Sequence, residues 1–266
     1  MQIFVINLDR NPMRWNRMVK LLDGLNFQRI AAVDGKNLEG PEFNRPGRQA
    51  SPEMLSRYNR ACLMSHRTVC EKFLSGPDPY CCVLEDDVLI SPEFPEFMNG
   101  TTWIPADADL IKLETTREKV CLSAKSRRCL NRVAKPLRSA HLGTAAYVVS
   151  RRGARKILDL THSADRSIDR VMFEDEGLVE LRPYQMVPAL CIQFNATGND
   201  LIFPEMESMI QPKNPKPVEP ARKPVKLRAL SKIQREINRL FRQLKGLPAW
   251  IVLRIQGMRC VRVPFE

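Results

Sequence analysis

Three consecutive carboxylates, Glu85-Asp86-Asp87, follow directly on the apolar run Cys81-Cys82-Val83-Leu84. In a strand, alternate side chains share a face, so Glu85 and Asp87 are expected to point together and Asp86 away. Two carboxylates on one face at the C-terminal end of a strand suit a hard divalent cation, Mn2+ or Mg2+. That edge is also where α/β sheets place their ligands. A cation there can hold a diphosphate and offset the charge on a leaving nucleotide. A surface strand end would carry the same letters, and acidic strand ends are shared by several phosphate-handling folds. Gly143-Thr144, at the start of another strand pattern, suits close backbone approach to a ligand, with a plain bulge as the alternative.

The elements that must position these residues read as α/β. QIFVINL (2–8) is a first strand; Asn11 and Pro12 sit as N-cap and first helical residue. Trp15, Met18, Val19, Leu22 and Leu25 then recur at helical spacing, and FQRIAAV (27–33) is a second strand ending at Asp34-Gly35. Residues 36–56 read as a polar loop on the site side, and residues 59–75 as a helix stopped by Gly76-Pro77-Asp78-Pro79. YCCVLEDDVLI, DLIKLE (109–114) and GTAAYVVS (143–150) are further strands, with a helix over 151–160. The basic stretch up to Arg138 is assigned no element, and residues 165–203 alternate short helical and strand-like pieces.

Charge divides the 266-residue chain unevenly. Residues 205–266 hold 14 Lys+Arg against 5 Asp+Glu, a net of +9; the other residues hold 28 against 25. The expected organisation is a catalytic domain over 1–203, a linker over 204–224 with six prolines, and a basic amphipathic tail over 225–266. In the tail, Leu227, Leu230, Ile233, Ile237, Leu240, Phe241 and Leu244 face away from a row of Lys and Arg, which suits an anionic membrane surface; packing on the body or a partner helix is the competing reading. LPAWIVL (247–253) is too short to span a bilayer, although Trp250 suits an interface. Interleaved aromatics and RNA- or DNA-binding motifs are lacking, so no nucleic-acid partner is expected. MQIFVINLDR does not read as a signal peptide, and the eight cysteines show no zinc spacing. The chain is therefore expected on the cytoplasmic side, with all eight cysteines as unpaired apolar residues.

INLDRNPMRW (6–15), AAVDG (31–35), ACLMSH (61–66), VLEDDV (83–88) and GTAAYVVSRRGARKIL (143–158) occur in this order. Together they resemble the family 25 glycosyltransferases of the lipooligosaccharide galactosyltransferase type, over residues 2 to about 195. The resemblance implies a GT-A fold, a Rossmann-type sheet with helices on both faces, and inverting transfer of galactose from UDP-galactose, a nucleotide sugar, to a lipid-linked oligosaccharide acceptor. The enzyme would sit peripherally on the inner face of a bacterial inner membrane. It implies that Glu85-Asp86-Asp87 is the counterpart of the family's Asp-x-Asp element, with Asp87 on the metal and Glu85 near the ribose or metal. Asn7, Asp9, Arg10 and Asp34 would lie beside the nucleotide, and His66 of the Cys-x-x-Ser-His block would line the donor pocket. For Arg10 and Asp34, turn chemistry is the alternative. Asn59-Arg60 departs from the Gly-Glu often found in relatives, which unsettles the details of the donor contacts. Inversion needs a base to take the acceptor proton. The resemblance points to Asp169, with Glu174, Asp175 and Glu176 as competitors and a helix cap as the bland alternative for Asp169. UDP-glucose on the same fold, or a non-catalytic protein working through its basic tail, are the competing functions.

Overall fold

The computed structural model describes residues 1–38, 56–163, 165–197 and 257–266. The chain opens as expected: β1 (Gln2–Asn7), α1 (Pro12–Leu21), β2 (Phe27–Ala31), α2 (Arg57–Ser75) and β3 (Tyr80–Glu85). Asn11 stands at the N-cap position of α1 without a side-chain cap bond and Pro12 occupies its first position; Ser56 caps α2 by accepting from the Asn59 N–H at 3.2 Å. Then come β4 (Val88–Ile90), α3 (Phe94–Met98), β5 (Leu110–Lys112) and β6 (Glu114–Thr115). The basic stretch that carried no assigned element folds into β7 (Lys119–Ser123), β8 (Arg127–Cys129) and β9 (Arg132–Pro136). β7 alternates buried Val120 and Leu122 with Lys119 and Cys121, whereas β8 and β9 set buried Cys129 and Ala134 among Arg127, Arg128, Arg132 and Lys135, and this charge hides the strand pattern. β10 (Ala146–Ser150), α4 (Arg151–Leu160), α5 (Ile168–Phe173), α6 (Asp175–Glu180), β11 (Pro183–Val187), β12 (Cys191–Gln193) and a 3-10 turn (Phe194–Thr197) complete the body.

Eight strands form one mixed sheet in the order β2-β1-β3-β10-β5-β11-β9-β8. β2, β1 and β3 run parallel, β10 runs antiparallel between β3 and β5, and β11 is parallel to β5. This order brings the C-terminal ends of β1, β2, β3 and β5, and the N-terminal end of β10, to one edge. Leu84 faces Ala146 and Lys112 faces both Tyr147 and Gln185, so Glu85 at the end of β3 and Gly143-Thr144 just before β10 come to that same edge.

The strands alternate their side chains between two cores. Ile3, Val5, Cys82 and Leu84 pack with Met18 of α1, Leu22 just after it, and Phe94 and Phe97 of α3. Phe4, Ile6, Cys81 and Val83 pack with Val69 and Phe73 of α2, Ile157 of α4 and Phe173 of α5. Helices therefore cover both faces, and Cys81 through Leu84 are fully buried. Each fully buried apolar side chain of this size contributes about 1.5–3 kcal/mol.

One expectation about the cysteines is overturned. β13 (Met258–Arg262) pairs antiparallel with β7 in a register that sets Cys260 opposite Cys121, and the two form a disulfide. Their separation of 139 residues left no local signal. The other six cysteines are free. The last residues then dock on the body: Thr115 Oγ1 donates to the Val263 carbonyl at 2.9 Å, and Ala189 N–H to Pro264 at 2.7 Å. Residues 257–266 of the expected tail thus belong to the body, whereas the linker and the amphipathic stretch 225–245 lie outside the described residues.

α4 starts immediately after β10, and its Gly153 lies against the end of the loop before β5. A Cβ there would meet the Asp109 carbonyl oxygen at 2.3 Å. Gly153→Ala should therefore destabilise the fold by about 1–3 kcal/mol through overpacking, despite alanine's better helix propensity. The check is the denaturant midpoint; an unchanged or raised midpoint would refute the close-approach account.

Candidate active site

The strand alternation expected across the acids stops at Glu85, because β3 ends there and Asp86-Asp87 form a turn into β4. All three carboxylates consequently border one cavity, each held by different partners. Asp86 is the structural member. Arg14 of α1 donates to Asp86 Oδ1 at 2.9 Å, and Asn7 Nδ2 donates to Asp86 Oδ2 at 2.6 Å. Burial pushes the Asp86 carboxyl up, against the opposing pull of Arg14 and Asn7.

Asp87 is 4% exposed, accepts from Gln193 Nε2 at 3.2 and 3.3 Å, and lies 3.8 Å from Arg14. Its backbone carbonyl accepts from Phe194 N–H at 2.9 Å, so β12 and the turn after it clamp the acid turn. Burial, then the adjoining charges of Glu85 and Asp86, push the Asp87 carboxyl up to about 8. Glu85 and Asp87 are the carboxylates on this cavity that could hold a hard divalent cation, Asp86 being taken up by Arg14 and Asn7.

Glu85 faces the α2 side. Its Oε1 accepts from Thr144 Oγ1 at 3.0 Å and lies 3.4 Å from His66 Nε2. His66 is buried in the middle of α2 and its Nδ1 is bonded to Tyr147 Oη at 2.9 Å. Across the cavity, Arg10 Nε donates to Asp34 Oδ2 at 2.5 Å and holds the Asp34 carboxyl below its ordinary value. Asp34 also accepts from the Lys36 N–H at 2.9 Å, so the turn role and the cavity role coexist.

Residues 143–145 join Asp169 to Glu85. Gly143 adopts φ +100°, a conformation that favours glycine, and its N–H donates to Asp169 Oδ2 at 3.3 Å. The next residue, Thr144, donates to Glu85, and the Ala145 N–H donates to Glu114 Oε1 at 2.8 Å. Asp169 Oδ1 accepts from Ser167 Oγ at 2.5 Å and from the Arg170 N–H at 2.8 Å. It therefore organises the start of α5 and also reaches the site loop.

Six expected residues do not line the cavity: Gly143, Thr144 and Asp169 reach it through the 143–145 loop, and Asn7, Asp9 and Glu174 stand elsewhere. Asn7 lies beneath the cavity as the brace of Asp86. Asp9 is on the surface, paired with Arg29 at 2.7 Å, and Glu174 is engaged by Arg170 at 3.1 Å. Several residues had no singular mark in the sequence: Arg14, Gln193, Tyr147, and the fully buried pair Lys112 and Glu114, joined at 2.9 Å. The spacing of Lys112 and Glu114, two residues apart in an apolar strand, was their one available signal.

The Asp87 carboxyl sets a pH dependence. An unfolded aspartate titrates near 3.9, so between about pH 4 and pH 8 the folded chain keeps a proton that the unfolded chain has lost. This group's contribution to stability should fall as pH rises through that window, and a cation on Asp87 should reverse the loss. Mn2+ should raise the melting temperature by a few degrees at pH 8 and much less at pH 5, and Asp87→Asn should remove the increment. Thermal unfolding with and without Mn2+ at both pH values is the check; equal increments would contradict it.

Residues 1–172 match the family model of glycosyltransferase family 25 (LPS biosynthesis protein). The lacto-N-neotetraose biosynthesis glycosyltransferase LgtE of Neisseria gonorrhoeae is 36% identical over 162 residues, 56% of this chain and 56% of that protein. LgtB of Neisseria meningitidis serogroup B is 33% identical over 213 residues, 72% of this chain and 76% of that one. The lipooligosaccharide biosynthesis protein lic2B of Haemophilus influenzae is 29% identical over 149 residues, 52% and 55% of the two chains. The chain thus spans little more than half the length of gonococcal LgtE. The matched segment contains the acid turn, the 143–145 loop and Asp169, and by that match the chain belongs to glycosyltransferase family 25.

Proposed function

We propose that the chain is an inverting, divalent-cation-dependent galactosyltransferase that moves galactose from UDP-galactose to a core sugar of a lipid-linked lipooligosaccharide. The observation that carries this reading is one cavity bordered by Glu85, Asp86, Asp87 and the Arg10–Asp34 pair, with Asp169 tied to Glu85 through consecutive residues of one loop. Family membership supports a sugar-transfer reaction, and the relatives named for lacto-N-neotetraose and lipooligosaccharide biosynthesis support an oligosaccharide acceptor.

Glu85 and Asp87 would hold Mn2+ or Mg2+, which when bound offsets the charge of the leaving diphosphate. Asp34, kept ionised by Arg10, offers acceptor oxygens to ribose hydroxyls at the open side of the cavity. Asp169 serves as the base: its Oδ1 is occupied by Ser167 and Arg170, and its Oδ2, with one long bond from Gly143, takes the proton of the attacking acceptor hydroxyl. The purified full-length chain should consume UDP-galactose faster than UDP-glucose or UDP-N-acetylglucosamine with a lipooligosaccharide acceptor, and a chelator should stop it. Faster use of UDP-glucose would reassign the donor; failure of the folded protein to bind any UDP-sugar would overturn the reading. Asp169→Asn should lower kcat by about 10²–10⁴-fold with donor affinity kept. Near-normal turnover would move the base to Glu174, Asp175 or Glu176.

The proposal includes a location on the cytoplasmic face of the inner membrane, supported by the basic amphipathic pattern of residues 225–245. No helix among the described residues is long and apolar enough to cross a membrane. Because residues 257–266 belong to the body, the informative deletion removes 225–250 and keeps the final strand. That variant should leave anionic vesicles while retaining transfer to a soluble acceptor; vesicle binding at the wild-type level would sink the membrane reading.

A further inference from the structure

The α2 wall of the cavity carries a donor set unlike the acid turn. Cys62 and His66 are four residues apart and so share one face of α2, opposite Glu85 at the end of β3. One ligand atom from each of the three lies within 4.8 Å of the other two. All three side chains border the cavity. His66 is 1% exposed, and its Nε2 has no hydrogen-bond partner.

We propose that Cys62, His66 and Glu85 form a second cation site, selective for a thiophilic ion such as Zn2+ and distinct from the hard-cation site of Asp87. Its geometry is close to what such an ion needs. With Zn–N and Zn–O bonds of about 2.0–2.1 Å, two ligand atoms of a tetrahedral ion stand about 3.4 Å apart. His66 Nε2 and Glu85 Oε1 are 3.4 Å apart. The sulfur of Cys62 comes from one helix turn before His66 and lies within 4.8 Å of the other two ligand atoms, so closing three sides of the tetrahedron takes a shift of at most about 1 Å. The fourth side opens to the cavity, the arrangement of zinc sites that keep an exchangeable position.

His66 is held from behind. Its Nδ1 is bonded to Tyr147 Oη at 2.9 Å, a hydroxyl that can accept from that nitrogen, and the ring stacks on Tyr147 with centroids 5.7 Å apart; a cation on Nε2 would select the tautomer with the proton on Nδ1. Thr144 supports the carboxylate from the other side. Ligation converts the Cys62 thiol to a thiolate: one S–H bond breaks, one sulfur–metal bond forms, and the proton leaves to solvent. A sulfur–nitrogen–oxygen set disfavours Mn2+ and Mg2+ relative to Zn2+ or Co2+, so the two sites differ in the ion they take. Both need Glu85. The consequence for transfer rests on the proposed function: Zn2+ should act as an inhibitor by withdrawing Glu85 from the hard-cation site.

The test uses Co2+ as a spectroscopic probe of the purified full chain and does not depend on transferase activity. Titration should produce a near-ultraviolet cobalt–thiolate charge-transfer band that saturates at about one equivalent and is erased by one equivalent of Zn2+. The other free cysteines, Cys70, Cys81, Cys82, Cys129 and Cys191, are buried, and Cys121 and Cys260 are bonded to each other, so the band reports on Cys62. Cys62→Ser should abolish it, and His66→Gln should weaken Co2+ binding by 10-fold or more, with circular dichroism confirming that each variant folds. No thiolate band in folded wild-type protein, or a band that survives in Cys62→Ser, would overturn the proposal. A band in a chain that shows no UDP-sugar transfer would leave this site standing and remove only the proposed function.

Discussion

The buried Lys112–Glu114 pair is the interaction on which the rest of the site depends. Both side chains are fully enclosed, and Lys112 Nζ also donates to the Gly143 carbonyl while its charge lies 4.2 Å from the Phe173 ring centre. Glu114 in turn takes the Ala145 N–H. The pair thus grips the loop on both sides of Thr144, the residue that donates to Glu85, and next to the Gly143 N–H that donates to Asp169. Behind it, Gln185 Nε2 donates to the Glu114 carbonyl, and Gln185 Oε1 accepts from His141 Nδ1 at 2.8 Å. Burial and the Lys112 charge push the His141 imidazole down to about 3, so it stays neutral beside the lysine. Breaking such a pair by removing one partner costs about 3–5 kcal/mol, because the other charge is left buried alone. Its stabilising value is modest; what it supplies is a fixed position for residues 143–145.

The acid turn follows the opposite logic. Arg14 and Asn7 satisfy Asp86, and Gln193 gives Asp87 only two long contacts of 3.2 and 3.3 Å. Three adjacent carboxylates with one buried guanidinium between them carry excess negative charge in a place where water is scarce, which is why the Asp87 carboxyl rises. A protein selected for stability alone would place an amide at position 87. The charge is retained at a cost, and sites that retain such a cost are commonly the ones that do chemistry.

Much of this was legible in the sequence because the signals are local. The β1-α1-β2 start, the α2 helix, the buried Cys81-to-Leu84 strand and the acids after it all declare themselves within a few residues of apolar periodicity and turn chemistry. The positions of Arg10, Asp34, His66 and Glu85 around one cavity follow from parallel strands ending at one edge. What was not legible needed partners far away in the chain. Arg14 meets Asp86 72 residues later, Gln193 meets Asp87 across 106, and Cys121 meets Cys260 across 139. The basic strands β7 to β9 were missed because their Lys and Arg residues, the buried Arg132 among them, masked the alternation. Asp9 looked equivalent to Arg10, yet one step along the turn after β1 sends it to the surface and Arg29.

The two ends of the body next to residues 198–256 bear on how a basic tail could influence the site. On one side, Gln193 and Phe194 hold Asp87, and the described chain leaves four residues later at Thr197. On the other, β13 is joined to β7 by pairing and by the disulfide, and the residues after it dock against Thr115 and Ala189. Arg132, buried at 5% exposure, accepts no freedom either: it donates to Glu93, Ser91 and the Glu266 carbonyl together. The intervening segment is therefore tethered at both ends, and one of those tethers is the clamp on Asp87.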